Sequence, residues 1–128
     1  MGYSIKSLKQ ELVAKGYSDD GLVGWGNNAS ATSGAIFGAV GGALAGAFSK
    51  MHVVCKRGDD ILIIPFTNKE ILYSNGVVFN KQIIEKAQVK GLFLSKKLVI
   101  VTKNGKKSNF PILQGVGDVK AILQKLGF

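Results

Sequence analysis

A chain of 128 residues has room for one modest domain and an appendage. With 46% hydrophobic and 20% charged residues it is a folding chain, which excludes an intrinsically disordered one. The net charge of +9 directs attention to anionic partners, and the single cysteine excludes an internal disulfide and fits a reducing compartment. The first twenty residues are polar and mixed in charge, unlike a secretory signal. Four lysines and three acids occupy residues 1–50, whereas thirteen Lys/Arg and five acids occupy residues 51–128. That asymmetry suggests a segment of residues 1–50 and a basic domain of residues 51–128.

"SIKSLKQELVAKGY" reads as an amphipathic helix with Ile5, Leu8, Leu12 and Val13 on one face. Ser4 can cap its start and Gly16 suits the left-handed position after its end. "SDDGLVGWGNNASATS" reads as loop or linker from its Gly, Asn and Ser density, and Trp25 within it either packs on the domain or anchors an interface.

"GAIFGAVGGALAGAF" follows, in a stretch without charge from Gly21 to Ser49. On a helix, Gly34, Gly38, Gly42 and Gly46 form a ridge without side chains, opposite Ile36, Val40, Leu44 and Phe48. The spacing resembles the glycine zippers of membrane-associated and self-associating helices. Ala35–Phe48 has 14 residues, and a membrane span needs about 20. Glycine costs a helix about 1 kcal/mol per residue, so such a helix needs tight packing against its own domain, a second copy or a membrane neighbour.

From Met51 the period changes to that of strands. "MHVVCKR", "ILIIPF", "EILYS", "GVVF", "KAQVKGLFL", "KLVIVTK" and "KSNFPI" are seven short runs separated by turn signals. Asn104–Gly105 predicts a type I′ hairpin, and the short connections predict sequential antiparallel pairing. Pro65 suits an edge or bulge. "GVGDVKAILQKLGF" predicts a final helix capped by Asp118, with Val119, Ile122, Leu123 and Leu126 on one face and Gly127 as its stop.

The run "DDILIIPFTNKEILYSNGVVFN … LVIVTKNGKKSNFPI … DVKAILQKL" resembles a bacterial pleckstrin-homology-like (PH-like) or GRAM-like domain over residues 51–128. The resemblance implies an α+β fold: a seven-stranded antiparallel barrel or sandwich closed by a C-terminal helix. An N-terminal amphipathic helix and a Gly/Ala-rich helix would precede it. Phosphoinositide-binding members of that superfold carry a basic cluster in the first hairpin. Lys56 and Arg57 stand in the corresponding place here, followed by Asp59 and Asp60, which argue against a specific headgroup. Protein-binding modules share the superfold, so the fold does not fix the function.

No catalytic, metal or cofactor site is expected. His52 and Cys55 lie three residues apart and would point to opposite faces of a strand, Cys55 as a buried small residue and His52 at a surface or edge. One His and one Cys are too few for a metal site. The glycine run lacks the Lys-Ser/Thr of a phosphate-binding loop. Aromatics are not interleaved with the lysines, which argues against nucleic acid. Lys103, Lys106 and Lys107 would form a basic turn that Lys56 and Arg57 could join, while Lys96 and Lys97 would lie at the other end of the barrel. The expectation is a non-catalytic interaction module that self-associates or docks a protein partner through the glycine ridge. The alternative is a peripheral or weakly inserted protein on the anionic, cytoplasmic face of a membrane.

Overall fold

The computed structural model describes residues 4–27, 51–93 and 95–128. Gly34, Gly38, Gly42 and Gly46, and the helix expected there, lie outside the described residues.

Helix α1 spans Ile5–Ala14. Ser4 Oγ accepts the Ser7 N–H at 3.1 Å while Ser7 Oγ accepts the Ser4 N–H at 2.9 Å, a reciprocal cap that satisfies donors the first turn cannot. Gly16 follows the helix with φ +79°, as its spacing predicts. Leu8 and Leu12 are buried, but Val13 is 49% exposed and lies off the packed face, contrary to expectation.

Among the described residues, seven antiparallel strands form two sheets in sequential order. The first sheet comprises β1 Val23–Asn27, β2 Met51–Arg57, β3 Asp60–Phe66 and β4 Val77–Asn80. The second comprises β5 Ile84–Lys90, β6 Lys97–Thr102 and β7 Lys107–Pro111. Helix α2, Val116–Lys125, closes the chain, and Gly127 stops it with φ +89°.

The strand count agrees with expectation, but two assignments exchange places. "VGWGN" is a strand, not a linker: β1 pairs along its whole length with β2, from Val23 opposite Cys55 to Asn27 opposite Met51. Its glycines are there for close approach. A Cβ on Gly26 would stand 1.7 Å from the Pro111 carbonyl oxygen, and one on Gly24 would stand 2.5 Å from a Val119 methyl. "EILYS" is not a strand. Thr67 Oγ1 accepts the Lys69 and Glu70 N–H groups and turns the chain, Ile71 makes a single bridge to Phe66, and Tyr73–Asn75 is a 3-10 turn. Helix α1 holds this segment instead of the sheet: Tyr73 Oη donates to Glu11 at 3.3 Å, and the Tyr73 ring stacks on Tyr17 at 4.4 Å.

Pro65 lies beyond the last β3–β4 pair, where its carbonyl takes the Leu72 N–H and no N–H is needed in return. The β6–β7 hairpin forms, but without a type I′ turn. Gly105 alone has the left-handed conformation, at φ +85°, and its N–H reaches the Thr102 carbonyl, while Asn104 Oδ1 accepts from Thr102 Oγ1 and the Lys106 N–H.

Two hydrophobic clusters hold the structure. One fills the space between the sheets and α2, with Val54, Ile63, Phe79, Leu98, Ile100, Phe110, Val119 and Ile122. The other lies between α1 and the outer face of the first sheet, with Leu8, Leu12, Val23, Val53, Cys55, Leu62 and Ile64. Trp25 packs on this second cluster, edge-on to Phe66 at 6.1 Å. Asp118 does not cap α2, whose N-cap is Gly115 at φ +83°. Its carboxylate instead accepts the Val23 N–H at 3.2 Å and pairs with Lys9 at 2.6 Å, tying α1, β1 and α2 together.

Candidate interaction surface

Residues that would carry chemistry are buried as part of the fold. His52 and Cys55 occupy β2 on opposite faces, as strand geometry requires. His52 is wholly buried against Phe110, ring centroids 5.8 Å apart, and is not a surface residue. Neighbouring β1 and β3 cover β2 on both sides, which the local sequence does not reveal. Burial lowers its pKa to about 4, against a smaller upward pull from the Pro111 carbonyl. Burial pushes the Cys55 thiol up to about 12, so it is not a thiolate near neutrality. Among the described residues, no group of three or more His, Cys, Asp or Glu could hold a metal ion.

The expected basic residues divide. Lys56 points into a carboxylate pair: its Nζ lies 3.2 Å from Asp19 and 3.7 Å from Asp20. Burial pushes the Asp19 carboxyl up, but the Gly58 N–H and the Lys56 ammonium outweigh it and hold the group below its ordinary value. Arg57 stacks over Tyr17 at 5.3 Å. Both residues are thus engaged by the segment between α1 and β1, which the charge pattern does not reveal. Lys103, Lys106 and Lys107 are exposed on the β6–β7 turn. The two regions do share an end, because the Asp59 carbonyl takes the Lys81 N–H and the Ile83 carbonyl takes the Lys103 N–H.

A stronger basic surface lies on the second sheet. Alternation and register place Lys86, Val101 and Lys107 in one row across its outer face, then Gln88, Val99 and Asn109, then Lys90, Lys97 and Pro111. Lys90 stands directly opposite Lys97, a like-charge pair that costs stability in the free protein. Between residues 86 and 117 there are seven lysines and no Asp or Glu. Glu85 sits in the β5 bulge at the far end of this face.

The loop joining β5 to β6 was expected to continue as strand through Leu94. It breaks at Gly91, whose φ is +117°. A Cβ there would fall 2.0 Å from the Ser95 carbonyl oxygen. The loop is closed by the Ser95 N–H on the Leu92 carbonyl at 2.9 Å and by Lys96 Nζ on the Gly91 carbonyl at 2.9 Å. Its tip is apolar and outward: Leu92 is 77% exposed and Phe93 91%. Phe93 has φ +48°, a left-handed conformation that costs a bulky residue about 1–3 kcal/mol. The sequence signal that marks the loop is an apolar run set between Gly91 and the Lys96–Lys97 pair. Beside it, Ser95, Lys96, Lys97, Pro111, Ile112 and the half-exposed Leu113 line an open cleft of about 340 Å³. The Ile112 N–H reaches the Lys96 carbonyl, and Pro111 abuts Gly26, so the loop lies close to the end of β1.

Among the described residues, no helix is long and apolar enough to cross a membrane. No protein-family model matches the chain, and no curated protein is similar to it in sequence.

Proposed function

We propose that the chain is a non-catalytic module of PH-like architecture that adheres to an anionic membrane surface, in the cell the cytoplasmic leaflet. The strand order of four then three, followed by a helix, supports the PH-like reading. The observation that carries the membrane reading is the lysine-rich outer face of the second sheet. Lys90 opposes Lys97 across a strand pair, with Lys86 and Lys107 on the same face. Repulsion within such a face is relieved by an anionic partner, and each lysine near an anionic leaflet contributes about 1 kcal/mol. The enclosed positions of His52 and Cys55 support a non-catalytic role.

Self-association or docking of a protein partner through the glycine ridge is a second reading. It is favoured by the pairing of Asn27 with Met51, which sets the described residues on either side of the glycine segment next to each other. Flotation with phosphatidylserine vesicles at low and high salt tests the first reading. Salt-sensitive flotation, weakened by Lys90→Ala with Lys97→Ala, is expected, and absence of flotation at low salt overturns it. Sedimentation of the same protein beside Gly38→Leu and Gly42→Leu variants tests the second. A monomer unchanged by either substitution excludes self-association through that ridge.

A further inference from the structure

We propose that the β5–β6 loop is a membrane wedge, with Leu92 and Phe93 entering the interfacial layer of an anionic phospholipid bilayer while Lys90, Lys96 and Lys97 engage the headgroups. The proposal rests on the membrane reading above and adds to it the element that penetrates and the orientation in which the protein sits.

Three observations carry it. The first is chemical pairing at one place. Two large apolar side chains lie largely in water on a loop that is flanked by lysines on both sides. An interface that is apolar at depth and anionic at its surface complements both features at once. The second is that the loop is a built structure. Gly91 accommodates the Ser95 backbone where any side chain would collide, and Lys96 ties back to the Gly91 carbonyl. Phe93 holds a left-handed backbone that glycine or asparagine adopts more easily. Outward display of the ring is therefore a property of the loop geometry. The third distinguishes a bilayer from a second copy of the chain. A copy would have to present acids to the lysine collar, yet each copy carries a net charge of +9, and of its eight acids Asp19 and Asp20 pair with Lys56, Asp60 accepts from Asn80, Asp118 pairs with Lys9 and Glu11 accepts from Tyr73, which leaves the exposed Asp59, Glu70 and Glu85 on three separate segments.

The experiment uses the full chain carrying Phe93→Cys, labelled with an environment-sensitive fluorophore. The buried Cys55 thiol is protected from the label. A Gln82→Cys label, on the exposed turn beside β5, serves as the control site. With vesicles of phosphatidylcholine plus phosphatidylserine, the label at 93 shifts to the blue and brightens, and the label at 82 does not. Phosphatidylcholine alone produces a much smaller change. A Leu92→Ser, Phe93→Ser double variant keeps the thermal midpoint but binds the anionic vesicles at least about tenfold more weakly, because two apolar side chains no longer leave water. Vesicle-bound protein with no shift at 93 and no loss in the double variant overturns the wedge and leaves the membrane reading standing. Failure of every form to bind overturns both. A shift that grows with protein concentration in the absence of vesicles assigns the loop to a contact between copies and overturns the wedge.

Discussion

The two sheets follow different burial rules. Strands β2 and β3 are buried on both faces, since one face meets the space between the two sheets and the other meets α1. They read accordingly as near-continuous apolar runs, "HVVC" and "ILIIPF". The three-stranded sheet is fully packed on one face, whereas on the other the central Val99 is buried but Lys86 and Lys90 are exposed. Ala87, Leu98, Ile100 and Phe110 point inward, while Lys86, Gln88, Lys90 and Lys97 occupy the other side. The doubly covered sheet uses both faces for packing, and the other sheet leaves exposed lysines to meet something else. Substitutions should therefore divide sharply between them: large losses of stability in the first region, losses of binding in the second.

The largest effect is expected where β1 locks onto the rest of the fold. Gly26→Ala places a Cβ 1.7 Å from a backbone oxygen of Pro111, an obstacle no rotamer change can relieve. To make room, β1 must withdraw and give up the Trp25 N–H bond to the Gln114 carbonyl at 2.9 Å and the Leu113 N–H bond to the Trp25 carbonyl at 2.7 Å. A loss of about 3–5 kcal/mol in urea unfolding is expected. A loss below 1 kcal/mol would mean that β1 is an accessory strand.

The Leu12→Ala change tests whether α1 is integral to the first sheet. Leu12 is fully buried in the outer cluster with Val53, Cys55 and Leu62. Its truncation should cost about 3 kcal/mol and shift a single cooperative transition. A separate early transition, leaving the strand signal intact, would make the helix an appendage and break the contrast between the sheets.

Elements whose own side chains dictate their environment were legible in the sequence. Helix α1 announces itself by period and by Ser4, helix α2 by Val119, Ile122, Leu123 and Leu126, and six of the strands by short runs of β-branched and aromatic residues between turn signals. What was not legible depends on contacts made across the chain. The glycines of β1 signal a linker locally, and only the approach of Pro111 and Val119 explains them. The "EILYS" run has strand composition, but Tyr73 is held by Glu11 and Tyr17 from the other end of the sequence. Lys56 reads as a free basic residue until Asp19 and Asp20 are brought beside it. For the candidate surface, the lysines were visible, but their sharing of one face follows from strand register. The outward turn of Leu92 and Phe93 follows from the closure of the loop at Gly91.

The smallest effect expected in the doubly covered region is a pH dependence, and between pH 7 and 4.5 it comes chiefly from His52. His52 is buried, its ring near Phe110 and the Pro111 carbonyl, and its pKa is held at about 4. The unfolded chain releases its imidazole to an ordinary value near 6.5. Between these two values the unfolded state binds more protons than the native one, so stability falls as the pH falls. The contribution is fully present above pH 6.5 and declines toward pH 4, with a slope of at most about 1.4 kcal/mol per pH unit. Asp19 acts in a lower window. Its folded value is depressed below 3.8, so its contribution persists above that pH and is lost only as the pH falls further. Denaturant titrations at pH 7, 6, 5 and 4.5 should show wild-type stability falling across the series, while a His52→Gln variant stays nearly flat whatever its absolute stability. Equal slopes for the two proteins would show that His52 reaches solvent in the native state, and with it that β2 is not closed on both faces.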